Sequence, residues 1–173
     1  MRKHNGMRPQ DIVVLLKIIA FGKNEWQMRN IAEQLYLSPS EITESINRSQ
    51  IAGLIDETKK KVRNQRLLLF LQNGLQFVFP QHPGTMVNGI ATAHAHPFMS
   101  NFFKTEIPFV WADIKGKERG LSIEPFYLNQ TKAVKEDELL YKLLALVDVI
   151  RIGRVREIEV AIKELKKIFL NES

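Results

Sequence analysis

Three observations predict an α+β chain that is mainly α. Apolar residues recur at helical spacing along both the N-terminal and the C-terminal thirds. One stretch in the second half alternates around turn residues as strands do. No internal repeat or low-complexity tail interrupts them. With 173 residues, 45% of them hydrophobic and 25% charged, the chain has ordinary globular proportions. The chain is expected to divide at residue 66: a helical unit over 1–66, then a helix, an ordered loop, a β-hairpin and a helical pair over 67–173.

Pro9 suits the first turn of a helix, and Ile12, Leu15, Leu16 and Ile19 follow at its spacing, with a stop near Gly22. Glu25–Gln27 reads as a short extended lead into a second helix of about nine residues. Ser38 then stands at an N-cap, Pro39 at the first helical position and Glu41 three residues after the serine, which is a capping box. That third helix is predicted to reach Ile51 and end at Gly53. In RLLLFLQNGLQFVFP the spacing of Leu67, Phe70 and Leu71 predicts a helix capped by Asn64 and ending near Gly74. A short strand, Gln76–Phe79, is expected after it.

Residues 80–108 hold four of the seven prolines and three of the four histidines, and read as an ordered loop. PFVWADIKGKERGLSIEPFY reads as a β-hairpin about a Lys-Gly-Lys-Glu-Arg-Gly turn. Two helices, over 134–151 and 155–170, close the chain at a joint on Gly153.

Charge is unevenly spread. Residues 1–66 hold 12 Lys/Arg against 7 Asp/Glu, residues 67–132 hold 5 against 4, and residues 133–173 hold 8 against 8. A positive excess confined to one unit suits a polyanionic partner. The chain has no cysteine, which excludes disulfides and thiolate chemistry and fits a cytoplasmic setting. No apolar run approaches the roughly 18 residues of a membrane span, and the basic opening MRKHNGMRPQ lacks the apolar core of a signal peptide.

The segment IAEQLYLSPSEITESINRSQ carries the functional expectation. In a helix-turn-helix the first helix packs across the second and holds it in the major groove of DNA. Ile31, Leu35 and Leu37 supply the first helix and the turn, Ala32 is the small residue at the crossing, and Ile42 and Ile46 anchor the second helix. Ser38, Pro39, Ser40, Thr43, Glu44 and Asn47 then point outward. Short hydroxyl and amide side chains reach base edges or phosphates without holding a helix out of the groove. Thr43, Asn47, Ser40 and Glu44 are expected on bases, with Ser38 and Arg48 on the backbone. Downstream, Lys59, Lys60, Lys61, Arg63 and Arg66 fall where a short wing would grip phosphates, its first strand being Gly53–Leu54–Ile55.

These residues resemble the helix-turn-helix of prokaryotic winged-helix regulators of the MarR and LysR kinds, matching at Ala32, Leu35, Leu37, Ser38, Ile42 and Ile46. The resemblance spans residues 10–56 and departs at Tyr36, where many members carry glycine. LLALVDVIRIGRVRE, GLQFVFPQHPG and GIATAHAHP are similar to MarR-like proteins as well. It implies a winged helix-turn-helix repressor, nucleoid-associated, that binds double-stranded DNA as a homodimer through its flanking helices. No cofactor is expected.

Other chemistries fare less well. His82, His94 and His96 are enough for a zinc site, but no acidic residue lies near them in sequence. There is no Gly-rich phosphate loop, no Gly-x-Ser-x-Gly and no carboxylate pair beside a base, so an enzyme is not expected. The amphipathic C-terminal pair, with Arg151, Arg154 and Arg156 at its bend, also suits an antitoxin-like subunit that binds a partner enzyme.

Overall fold

A computed structural model describes residues 5–171; residues 1–4 of the basic opening stretch lie outside the described residues. The fold is α+β and mainly helical, built on α1 (Pro9–Phe21), whose residues Ile12 to Ile18 are all buried. An amphipathic helix would leave one side in water. This one is covered by α2 (Met28–Leu35) and α3 (Pro39–Ile51) on one side and by α7 (Glu138–Ile152) on the other. Its two buried polar residues are paired: Asp11 with Arg48 of α3, and Lys17 with Asp137 at the start of α7, at 2.5 Å. Gly22, at φ 62°, ends the helix as its sequence implies.

α4 (Asn64–Asn73) forms where expected and buries Leu67, Leu68 and Leu71. Its cap differs from expectation. Asn64 is the first helical residue, and its amide donates to the Phe169 carbonyl of α8 (Val155–Leu170). The strand expected over Gln76–Phe79 is instead a helical turn, α5 (Leu75–Val78), anchored by Gln76 Nε2 on the Ile150 carbonyl at 2.8 Å.

The middle of the chain corrects two further expectations. The presumed loop contains a strand, β1 (Met86–Thr92), and the presumed hairpin strands β2 (Phe109–Ala112) and β3 (Glu118–Ser122) run parallel to each other. Both pair antiparallel with β1, β2 along Gly89–Thr92 and β3 along Met86–Gly89, so each strand bonds the other two in a closed ring. The connection between β2 and β3 passes over β1 at a glycine crossing. A Cβ on Gly116 would lie 2.3 Å from the Gly89 carbonyl oxygen, and one on Gly89 would lie 2.1 Å from that of Trp111. Only glycine permits backbones so close. Two single-turn 3-10 segments, Ala93–Ala95 and Met99–Asn101, follow β1.

The ring is fastened to α7 by a buried carboxylate. Asp148 Oδ2 accepts from Thr92 Oγ1 at 2.8 Å and Trp111 Nε1 at 2.7 Å, and Oδ1 pairs with Arg151 at 2.9 Å. Burial pushes the Asp148 carboxyl above its usual range, against the pull of Arg151 and the three donors. Arg151 also donates to the Glu124 carbonyl and to Gln81, and its guanidinium lies over Phe126. Of the three arginines at the bend, Arg151 is thus committed inside the chain.

A short α6 (Gln130–Val134) precedes α7, and α7 and α8 form the expected closing pair about Gly153. α7 is buried from Leu143 to Arg151, and the outward side of α8 is charged, with Arg156, Glu159, Lys163 and Lys166 exposed. The apolar faces expected to make a dimer are therefore largely spent within the chain. A single cluster of buried side chains runs from Ile12 to Phe169, across both sequence units. No helix among the described residues is long and apolar enough to cross a membrane.

Candidate nucleic-acid interface

α2 and α3 are joined by the three-residue turn Tyr36–Ser38. Ile31, Ala32 and Leu35 of α2 pack with Ile42 and Ile46 of α3, and all five are buried. The capping box forms as its sequence requires. Ser38 N–H and its hydroxyl both donate to Glu41 Oε2 at 2.8 Å, while Glu41 N–H donates back to Ser38 Oγ at 3.3 Å. The Ser38 N–H, then its hydroxyl, hold the Glu41 carboxyl below the usual carboxylate range. Glu41 is thus occupied by the helix terminus, where a negative charge is favourable.

The turn adopts the strained geometry that Tyr36 threatens: φ 55°, ψ 41°, in the left-handed region. Its neighbours hold it there. The Tyr36 hydroxyl donates to Glu136 at 2.9 Å, Asn129 Nδ2 donates to the Tyr36 carbonyl at 3.0 Å, and the buried Tyr127 hydroxyl donates to the Leu35 carbonyl at 2.9 Å. This hydroxyl is thereby committed within the chain.

The outward face of α3 carries Pro39, Ser40, Thr43 and Glu44, all exposed, with Asn47 half-buried. Thr43 Oγ1 donates to the Pro39 carbonyl at 2.9 Å and lies 3.5 Å from Met28 Sδ. Ile51, 64% exposed, lies one turn beyond Asn47 on this face, although its type suggests core. Arg48 corrects its expected role. It is buried, with Nε and Nη2 on the two Asp11 oxygens at 2.8 and 2.7 Å and Glu44 at 3.7 Å, and does not reach a phosphate. The spacing of α3 gave no warning of this, because its partner is 37 residues upstream.

The expected wing is reduced to one bridge, Ile55 with Val62. Asp56 organises the turn between them by accepting from the Lys60 and Lys61 N–H groups and from Thr58. Burial alone would raise its carboxyl, yet the Lys61 N–H, the Thr58 hydroxyl and the Lys60 N–H hold it low. Lys59, at φ 60°, folds back so that its Nζ donates to Asn47 Oδ1 at 2.7 Å. This contact, invisible to spacing arguments, joins the basic turn to α3. Lys60 Nζ sits 4.5 Å above the Trp26 ring and 3.3 Å from its carbonyl. Lys61 is exposed, Arg63 is 3.8 Å from Glu57, and the Arg66 guanidinium lies against Gly53. Beside the turn opens a groove of about 1390 Å³ that reaches Lys23 and Asn24 at the end of α1, and Phe169 of α8.

The histidines separate. His94 Nε2 lies 2.9 Å from Glu157, His96 Nδ1 accepts from the Phe98 N–H at 3.1 Å, and His82 is exposed. Burial, with Lys142 nearby, lowers His96 to about 4. Among the described residues no three His, Cys, Asp or Glu come together as metal ligands. Comparison with protein-family models, with curated proteins and with solved structures finds no match.

Proposed function

We propose that the chain is a sequence-specific DNA-binding transcriptional regulator, a repressor, that lays α3 in the major groove of double-stranded DNA as a winged helix-turn-helix. The observation that carries this reading is the Lys59–Asn47 hydrogen bond at 2.7 Å, which sets a turn rich in cations against the outward polar face of α3. Ser40, Thr43, Glu44 and Asn47 meet base edges. Asn47 keeps its amide N–H donors free, and Glu44 suits the cytosine amino group. Ser38 and Pro39 lie at the groove edge, and Lys59, Lys60, Lys61, Arg63 and Arg66 face phosphates. Two copies would place two α3 helices on half-sites about 34 Å apart. Their contact would then use a surface other than the buried faces of α7 and α8.

The test is a salt-titrated gel shift on the DNA upstream of the chain's own coding sequence. Thr43→Ala with Asn47→Ala should abolish discrimination over random DNA, and Lys61→Ala should lower the salt slope by about 0.9. Binding that is absent at low salt, or sequence preference untouched by the double substitution, would refute the proposal.

One observation favours a second reading, an antitoxin-like subunit that binds a partner enzyme through the unit over residues 67–173. Leu69, Phe77 and Val78 on α4–α5 are 64%, 82% and 51% exposed, an unusual outlay of large apolar side chains. Co-purification of an enzyme, lost on Phe77→Ser, would support it.

A further inference from the structure

We infer that the groove beside the basic turn seats the sugar–phosphate backbone of duplex DNA flanking the segment that α3 reads; this rests on the DNA-binding reading above. The groove, about 1390 Å³, runs from the end of α1 past Lys60 and Lys61 to the last turn of α8. Its floor includes apolar side chains such as Ile19, Val62 and Phe169, and its polar lining includes Lys23, Lys60 and Lys61 with side-chain amides, against the single carboxylate of Glu25. Lysines and side-chain amides are the usual partners of phosphate and sugar oxygens.

The groove is also continuous with the helix that would read bases. Lys59, bonded to Asn47, is the neighbour of Lys60, and Lys60 is pinned at the groove edge by the Trp26 ring and carbonyl. A duplex lying on α3 and crossing the basic turn therefore has its backbone delivered to this rim.

The chain has no cysteine, so one introduced thiol reports its surroundings. Asn24→Cys, Thr43→Cys and Glu106→Cys would each carry a photoactivated aryl azide. Glu106 lies on the segment beside the opposite end of α8, where His94 meets Glu157 and Phe103. The probe is a mixed-sequence duplex about two helical turns long. Asn24 and Thr43 should both label the duplex and Glu106 should not. Lys23→Gln should lower the salt slope by about 0.9 with the melting temperature unchanged. Labelling from Thr43, with Asn24 no better than Glu106, would show the duplex passing outside the groove and overturn this inference while leaving the DNA-binding reading intact. Absence of labelling from every position would remove both. Protection of the Asn24 thiol by polyglutamate, with none by the duplex, would identify an acidic protein tail as the occupant and overturn the nucleic-acid assignment.

Discussion

Replacing Arg48 with methionine separates a structural arginine from a DNA contact. In the native chain its guanidinium holds both oxygens of Asp11, at 2.8 and 2.7 Å, where Asp11 is completely buried. Removing one partner leaves a buried charge uncompensated, which costs about 3–5 kcal/mol. The Arg8 N–H on Asp11 Oδ2, at 2.8 Å, remains and offsets a small part. For a chain of this size each kcal/mol moves the melting temperature by about 2–4 °C, so Arg48→Met should lower it by about 6–20 °C. Asp11→Leu alone should cost a similar amount. The double variant should recover most of the loss, because an apolar pair of similar volume replaces a buried ion pair at little cost. Thermal unfolding followed by circular dichroism reads all three. An unchanged melting temperature for Arg48→Met, together with a salt slope reduced by about 0.9, would place Arg48 on a phosphate and refute the reasoning.

Two further perturbations test the ring and its surroundings. Burial lowers His96 to about 4 in the folded chain, below the ordinary value near 6.5, so its contribution is complete above that value and lost as pH falls towards 4. Unfolding experiments at pH 7 and pH 4.5 should show a loss of about 2–3 kcal/mol that His96→Gln removes; an equal loss in the variant would assign the pH dependence to other groups. Gly116→Ala would usually stabilise a chain slightly by restricting its unfolded state. Here the added Cβ meets the Gly89 backbone at 2.3–2.4 Å, so destabilisation by about 3 kcal/mol or more is expected, and a gain in stability would deny the crossing.

Local patterns sufficed where the determining contact lies within a few residues. Pro9, the Ser38–Pro39–Glu41 capping box, Gly22 and Gly153 mark helix boundaries because caps and stops act over one turn, and the structure follows them. The core faces of α2 and α3 were equally legible, since Ile31, Leu35, Ile42 and Ile46 repeat with the helical period. β1 was not, because MVNGIAT mixes glycine, asparagine and small residues in a strand with little alternation of burial. Nor was the pairing of β2 and β3, whose nearness in sequence suggested an antiparallel hairpin, whereas they pair in parallel and each also pairs antiparallel with β1.

The same division runs through the candidate interface. The sequence by itself determined the outward face of α3 and the run of cations after it, because helical geometry and charge are properties of adjacent residues. Only the tertiary structure decided which of those side chains remain free. Arg48 is consumed by a residue 37 positions away and the Tyr36 hydroxyl by one 100 positions away, while Asn47 Oδ1 and Lys59 Nζ meet each other and keep their remaining N–H donors. A polar side chain takes whichever partner folding brings within about 3 Å, and spacing along the chain carries no record of that choice.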